Sequence, residues 1–348
     1  MPPPADAGCS QLLVSETLAA ALLEWRDANA RDLPWRRNRD PYRVWVSEIM
    51  LQQTRVEAVI PYYERFLKRF PTVQALAEAP EADLLASWAG LGYYRRARLL
   101  YRAAKEIAAE FPDTYEGIRA LPGIGNYTAG AIASLAFGLP HAALDGNLMR
   151  VLARLDADGR DIARPATKRA LERRAQSLVE KAGPGRHGDL NEALMDLGAT
   201  VCTPKSPQCP VCPVTRFCKA RKQGIQQQLP VKVKKDRTVR VKLVVAIVQR
   251  GRSLLLRQRT PDEEIMPGFW ELPQAEGADE LSRIGIDCRQ ELGGFKHAIT
   301  FRAIGGKVYG AELTGKRPGG HRWVTSARRD RLPLTTITKK ALKAAGVQ

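Results

Sequence analysis

The stretch LPGIGNYTAG (Leu121–Gly130) sets two glycines one residue apart, just before an apolar run, with an asparagine and a tyrosine where the run predicts a helix to begin. Lacking a Cβ, Gly123 and Gly125 let the backbone take left-handed dihedrals or approach another molecule closely. The segment that follows, TAGAIASLAFG, reads as a helix. Backbone N–H groups at its positive N-terminus suit a phosphate or another anion, and a plain tight turn between packed helices would use the same residues.

The chain has 348 residues, enough for two or three domains with separate cores. It is 44% hydrophobic and 26% charged, as globular proteins are. No apolar run reaches membrane-spanning length, and the opening MPPPADAGCS lacks the regions of a secretory signal, so a soluble intracellular protein is expected. A net charge of +18 argues for a polyanionic partner, nucleic acid ahead of a membrane surface. The charge is uneven, with 24 Lys and Arg against 12 Asp and Glu from Leu229 onward.

From about Ser15 to Gly224 apolar residues recur at helical spacing, as in Leu18, Leu22 and Trp25 and through VWVSEIMLQQTRVEAVIPYYERFLKRF. Prolines 61, 71, 80, 112 and 122 are expected to divide this region into short helices. Beyond it, GIQQQLPVKVKKDRTVRVK reads as a basic linker, followed by short β-type segments with glycines between them. The expectation is an all-α region over 1–228 with a metal loop at 202–218, a linker over 229–240, and an α+β domain over 241–348.

Cys202, Cys209, Cys212 and Cys218 lie within 17 residues. Four thiolates so placed can wrap a tetrahedral zinc or a [4Fe-4S] cluster. Zinc sites commonly pair two short knuckles and only one is present, so the spacing favours the cluster. Cys9 reads as a free terminal thiol and Cys288 as a core residue. Lys205, Arg216, Lys219 and Arg221 would give the loop a positive surface.

Two carboxylates stand apart from the solvated ones. Glu48 is flanked by apolar residues in VWVSEIMLQQT, where desolvation should raise its pKa. Asp145 in AALDGNLMRVLAR sits at a helix start, where N–H groups would keep it ionised. A proton donor beside a lasting anion can cleave a glycosidic bond through an oxocarbenium-like transition state. An ordinary helix glutamate and an N-cap aspartate would look the same.

With LPGIGNYTAG as the hairpin, LDGN after it and the four-cysteine loop closing it, the helical region resembles the endonuclease III superfamily of helix-hairpin-helix DNA glycosylases. SEIMLQQTRVEAVIPYY, WAGLGYYRRAR and ALDGNLMRVLAR resemble its MutY-type, adenine-specific branch. The resemblance implies that Glu48 protonates adenine, mainly at N7, and that Asp145 stabilises the sugar cation, while Asn147 and Tyr127 orient these groups. It implies an adenine pocket lined by Arg31, Leu51 and Glu192, with Gln53 and Tyr93 entering the base stack once the adenine is flipped out. Gly123 and Gly125 would cradle DNA phosphate, and the cofactor would be a [4Fe-4S] cluster. In bifunctional relatives a lysine at the second position after the last hairpin glycine forms a Schiff base with the sugar. Here that position is Tyr127, so base excision without strand cleavage is expected. Arg95, Arg98 and Arg102 share a helix face suited to phosphate.

The resemblance also implies a Nudix-like domain that recognises 8-oxoguanine opposite the adenine. No REUxEExGU helix for Mg²⁺ occurs in GFWELPQAEGADELSRIGIDCRQELGG, so binding rather than hydrolysis is expected. GFKHAIT, with Phe295 and His297, resembles the family's lesion-probing loop, although Lys296 stands where a serine is usual. The expected protein is a monomeric, monofunctional adenine DNA glycosylase acting on double-stranded DNA with adenine opposite 8-oxoguanine or guanine. It would be cytoplasmic and nucleoid-associated in a bacterium, or nuclear in a eukaryote. The alternatives are an endonuclease III-like lyase for oxidised pyrimidines and a non-enzymatic DNA-binding protein.

Overall fold

The computed structural model describes residues 17–107, 110–233, 238–260, 262–263, 265–299 and 301–347; Cys9 lies outside them. The chain forms two compact units, Met1–Val233 and Lys234–Gln348.

The first unit is helical throughout its described residues: α1 (Leu18–Asn29), α2 (Pro41–Leu51), α3 (Val56–Arg69), α4 (Val73–Glu78), α5 (Glu81–Ser87), α6 (Tyr94–Glu106), α7 (Tyr115–Ala120), α8 (Asn126–Phe137), α9 (Gly146–Asp156), α10 (Pro165–Glu180), α11 (His187–Asp196) and α12 (Lys219–Lys222). The Asp40 carboxylate caps α2 by accepting from the Arg43 N–H at 2.9 Å, and Pro41 takes the first helical position, where no N–H is needed. Such a cap contributes about 1 kcal/mol. Tyr42 to Met50, except Arg43, are buried, so α2 is a central helix rather than an amphipathic one.

Pro61 does not divide the chain as expected but lies inside α3. It removes one backbone hydrogen bond, yet Val59, Tyr63 and Phe66 fall on one stripe and are all buried, and that packing keeps the helix whole.

α7 and α8 form the hairpin. Gly123 takes φ +79°, and a Cβ there would lie 2.7 Å from the Leu99 Cβ. Gly125 is extended at φ −94° and begins α8 with no side-chain cap, which leaves the first N–H groups of α8 open. Thr128 to Ser134, all small except Ile132, are buried, and α8 packs on α2. Gly130 lets another strand of backbone approach, since a Cβ there would stand 2.2 Å from the Ala142 carbonyl oxygen. Leu229 and Val231 are tied to this unit: the Arg154 Nε donates to the Leu229 carbonyl at 2.9 Å and the Ile162 N–H to the Val231 carbonyl at 3.0 Å.

The second unit is built on β1 (Val239–Arg250), β2 (Ser253–Gln258), β3 (Trp270–Glu271), β4 (Gln274–Ala275), β5 (Ile286–Ile299), β6 (Arg302–Leu313) and β7 (His321–Thr325). The sheet runs β3-β2-β1-β6-β5, with β4 on β1 and β7 on β2. β1 and β6 are parallel and the other pairs antiparallel. Period-two alternation sends Val245 and Ile247 into one core with Leu342 of α15 (Thr336–Ala344), and Ala246 and Val248 into another with Leu281 of α13 (Ala278–Arg283). Between them in sequence lies a short α14 (Ser326–Arg329). Cys288 is half-buried against the α13 core.

Candidate active site

Glu48 is buried on α2, and its neighbour across the helix packing is Tyr127 at the start of α8, whose hydroxyl hydrogen-bonds it. Burial drives the Glu48 carboxyl up to about 7, with the Asp145 charge adding to the rise and the Tyr127 bond opposing it. One carboxylate oxygen, Oε2, is buried with no hydrogen-bond partner. Burial, followed by the Glu48 charge, holds the Tyr127 phenol well above its ordinary range, so it stays neutral.

Asp145 caps α9. Its Oδ1 accepts from the Leu148 N–H at 2.7 Å and its Oδ2 from Asn147 Nδ2 at 2.9 Å. Burial outweighs these donors and raises the carboxyl above its ordinary value. Asn147 is itself fixed from behind, its Oδ1 accepting from Arg150 at 2.9 Å, while Arg150 also donates to the Gly198 and Cys202 carbonyls. A Cβ on Gly198 would lie 2.8 Å from the Asn147 Cβ, so this close approach requires glycine. Gly198 belongs to a π-turn, Leu197–Val201, that leads into the cysteine loop.

Glu192 is buried on α11 and lies 2.6 Å from Arg26 Nη2 and 3.2 Å from Arg36 Nε. Arg36 also forks onto Asp196 at 2.7 and 3.0 Å, and Arg31 reaches Asp196 at 3.7 Å. Arg31 and Glu192 therefore belong to one ion network, although they do not pair directly. Arg36 also acts on Glu48, partly offsetting its raised pKa. Leu51 ends α2, half-buried against the core. Gln53 and Tyr93 are exposed and both take left-handed backbones, φ 59° and 50°. Of the basic run after Tyr94, Arg95 and Arg102 are exposed, Arg98 pairs with Glu81 at 3.0 Å, and Arg96 is buried.

Cys202, Cys209, Cys212 and Cys218 line one cavity of about 20 Å³ with Val151, Leu155, Leu197 and Val214. Among the described residues no group of three His, Cys, Asp or Glu is gathered as a single metal ion would need. Arg154 Nη1 donates to Cys202 Sγ at 3.2 Å and to the Thr203 carbonyl at 2.8 Å, which ties the loop to α9. Lys205, Arg216, Lys219 and Arg221 are exposed around it.

In the second unit Phe295 and His297 lie in strand β5 rather than in a loop, opposite Gly306 and Ile304. The Phe295 ring covers Gly306, where a Cβ would stand 2.2 Å from it, so its face is spent on packing. His297 lines a cavity of about 220 Å³ with Arg259, Glu271, Gln274 and Arg302. Burial, helped by Lys340, lowers its pKa, so the imidazole is neutral near pH 7. Buried Glu271 is paired with Arg257 and Arg259, and α13 carries only Asp279 and Glu280.

Sequence reading missed Arg36, Arg96 and Arg150. Arg96 alone had a signal: it precedes Leu100, Ala103 and Ala104 on the apolar stripe of α6, at spacings of four, seven and eight.

Residues 46–181 match the model of the HhH-GPD superfamily of base excision DNA repair proteins, and residues 243–344 match the NUDIX domain. Both expected architectures are therefore present. The chain is similar to the Homo sapiens adenine DNA glycosylase, 34% identical over 401 residues that cover 93% of this chain and 73% of that protein. The Arabidopsis thaliana adenine DNA glycosylase is 35% identical over 374 residues, 88% of this chain and 58% of that one. A solved thermostable thymine-DNA glycosylase superimposes with a TM-score of 0.52 at 28% identity, over 59% of this chain and 95% of that chain. No helix among the described residues is long and apolar enough to cross a membrane.

Proposed function

The chain belongs to the adenine DNA glycosylase family, and from that premise we propose that it hydrolyses the N-glycosidic bond of adenine opposite 8-oxoguanine or guanine, leaving the strand uncut. The observation that carries this reading is Glu48: buried, with a carboxyl near pH 7 and one oxygen without a partner. Such a group is protonated in part at neutral pH and can give its proton to the adenine ring, which makes the base a better leaving group. Asp145, aimed by the Leu148 N–H and by Asn147, would stabilise the sugar cation as its anion. These charges matter more as the bond breaks than before, which is the condition for catalysis.

Tyr127 supports hydrolysis over lyase chemistry. A phenol cannot form an imine, and its hydroxyl is engaged with Glu48. Arg31, Leu51 and Glu192 would line the adenine pocket, Gly123 and Gly125 would approach the DNA backbone, and Gln53 and Tyr93 would enter the stack. The four cysteines suit a [4Fe-4S] cluster by their spacing, which holds one short pair, and all four line one apolar cavity. When bound, the cluster supplies a covalent staple for the loop that Arg150 and Arg154 join to α9. In the second unit, His297 would help read the base opposite the adenine, and Phe295 would serve by packing.

The test is incubation with duplexes holding adenine opposite 8-oxoguanine, guanine or thymine, with and without alkali. Strand breaks at the adenine of the first two that need alkali are expected. Breaks without alkali would favour a lyase, and release from no duplex would refute the reading.

A further inference from the structure

Gln53 follows α2 and Tyr93 precedes α6; both are non-glycine residues in left-handed backbone, and both side chains are exposed, Tyr93 at 56%. Such conformations persist only where the surroundings over-determine them. Here one buried side chain touches both loops. Arg96 Nη1 donates to the Ile49 and Met50 carbonyls at 2.9 Å each and to the Gln52 carbonyl. Its Nη2 donates to Thr54 Oγ1 at 3.2 Å and to the Gly92 carbonyl at 3.4 Å. The guanidinium also lies 5.7 Å from the Trp88 ring centroid and 5.2 Å from that of Tyr93.

The carbonyls it takes on one side are those that α2 leaves without an intrahelical partner at its C-terminus. On the other side it takes the carbonyl immediately before Tyr93. Burial lowers its pKa to about 10, which still leaves the cation intact at neutral pH. Both Nη groups are committed within the protein and Nε is buried, so Arg96 has no donor to offer a phosphate, although it stands among arginines that could.

The geometry points to Arg96 as a positioning residue for base extrusion: it clamps the Gln53 and Tyr93 loops to each other, so that both side chains meet the duplex as one rigid wedge. The inference rests on the reading that Gln53 and Tyr93 enter the stack. A lysine could not replace the fork, because a compact ammonium cannot span both loops.

The test uses the full chain with Arg96→Gln and Arg96→Lys, beside Gln53→Ala and Tyr93→Ala. Duplexes carry 2-aminopurine next to the target adenine, whose fluorescence rises on unstacking. Single-turnover excision is measured on a fully paired duplex and on one with mismatched flanks, which is cheaper to open. Both Arg96 variants should lose the fluorescence rise and slow excision on the paired duplex by roughly tenfold to a hundredfold, the scale of losing hydrogen bonds to a charged group. Most of that loss should return on the mismatched duplex. An equal loss on both duplexes, with the fluorescence rise intact, overturns the clamp. If Gln53→Ala and Tyr93→Ala open the duplex as the unmodified protein does, the wedge reading itself fails; if they do not while the Arg96 variants do, only the clamp fails. Should Arg96→Gln not fold, Arg96→Lys, which keeps the buried charge, decides the question.

Discussion

The Tyr127 hydroxyl is hydrogen-bonded to Glu48, and this bond pulls the carboxyl down while burial pulls it further up, to about 7 from an ordinary 4.5. The larger effect sets the chemistry: Glu48 holds a proton where solvent carboxylates have lost theirs. Single-turnover excision should therefore fall as pH rises through about 7, and Glu48→Gln should be inactive across the range.

The same shift fixes the sign of a stability change. Because the folded pKa is raised, the contribution is fully present below the unfolded value and is lost as pH rises through about 7. The shift corresponds to roughly 3 kcal/mol by the usual conversion. Glu48→Gln should thus melt higher than the unmodified protein at pH 8 to 9 and nearly match it at acidic pH. Thermal melts of both proteins across pH check this; parallel curves would refute it.

Asn147→Ala should leave Asp145 without its side-chain donor and Arg150 without one of its acceptors. Loss of a hydrogen bond to a charged group is worth about 1.5–3 kcal/mol, so excision should drop by roughly tenfold to a hundredfold. Single-turnover excision by Asn147→Ala at the rate of the unmodified protein would refute this role.

Tyr127→Lys would place an amine beside buried Glu48, at the position where it could attack the sugar. Borohydride should then trap the variant covalently on adenine-containing duplex, while the unmodified protein should not trap. Equal trapping by both would show that hydrolysis had been assigned wrongly.

Gly198→Ala should destabilise the first unit by about 1–3 kcal/mol, the usual range for forcing an extra carbon into packed structure. Because the intruding Cβ meets Asn147, excision per folded molecule should also fall. A lower melting temperature with unchanged activity per folded molecule would separate packing from positioning.

Helical and strand periodicity made both units legible, since a 3.6-residue stripe and a two-residue alternation are local properties of the chain. Pro61 misled because the burial of Val59, Tyr63 and Phe66 is decided by distant residues. Phe295 and His297 read as a loop through the resemblance of GFKHAIT to the family's lesion-probing loop, whereas Gly306 on β6 supplies the space that lets Phe295 lie down and the strand continue. Glu48 was legible from its apolar neighbours. The cap at Asp145 was legible too, but not the burial that opposes it, because the chain alone does not show how much protein will cover a helix end. The partners of Arg36 and Arg150 lie far away in sequence, and only folding brings them into reach.

Gly130 and Gly198 stand where an added Cβ would come 2.2 and 2.8 Å from a neighbouring residue, and they hold those approaches with no side chain at all. The placement of Asp145 and Asn147 is thus stored partly as missing atoms, in spaces that any substitution would have to occupy. A random library screened for loss of excision should therefore be enriched at these two positions, which carry no chemistry, beside the carboxylates that do. The tolerance of the site to change is set by how closely backbones meet behind it.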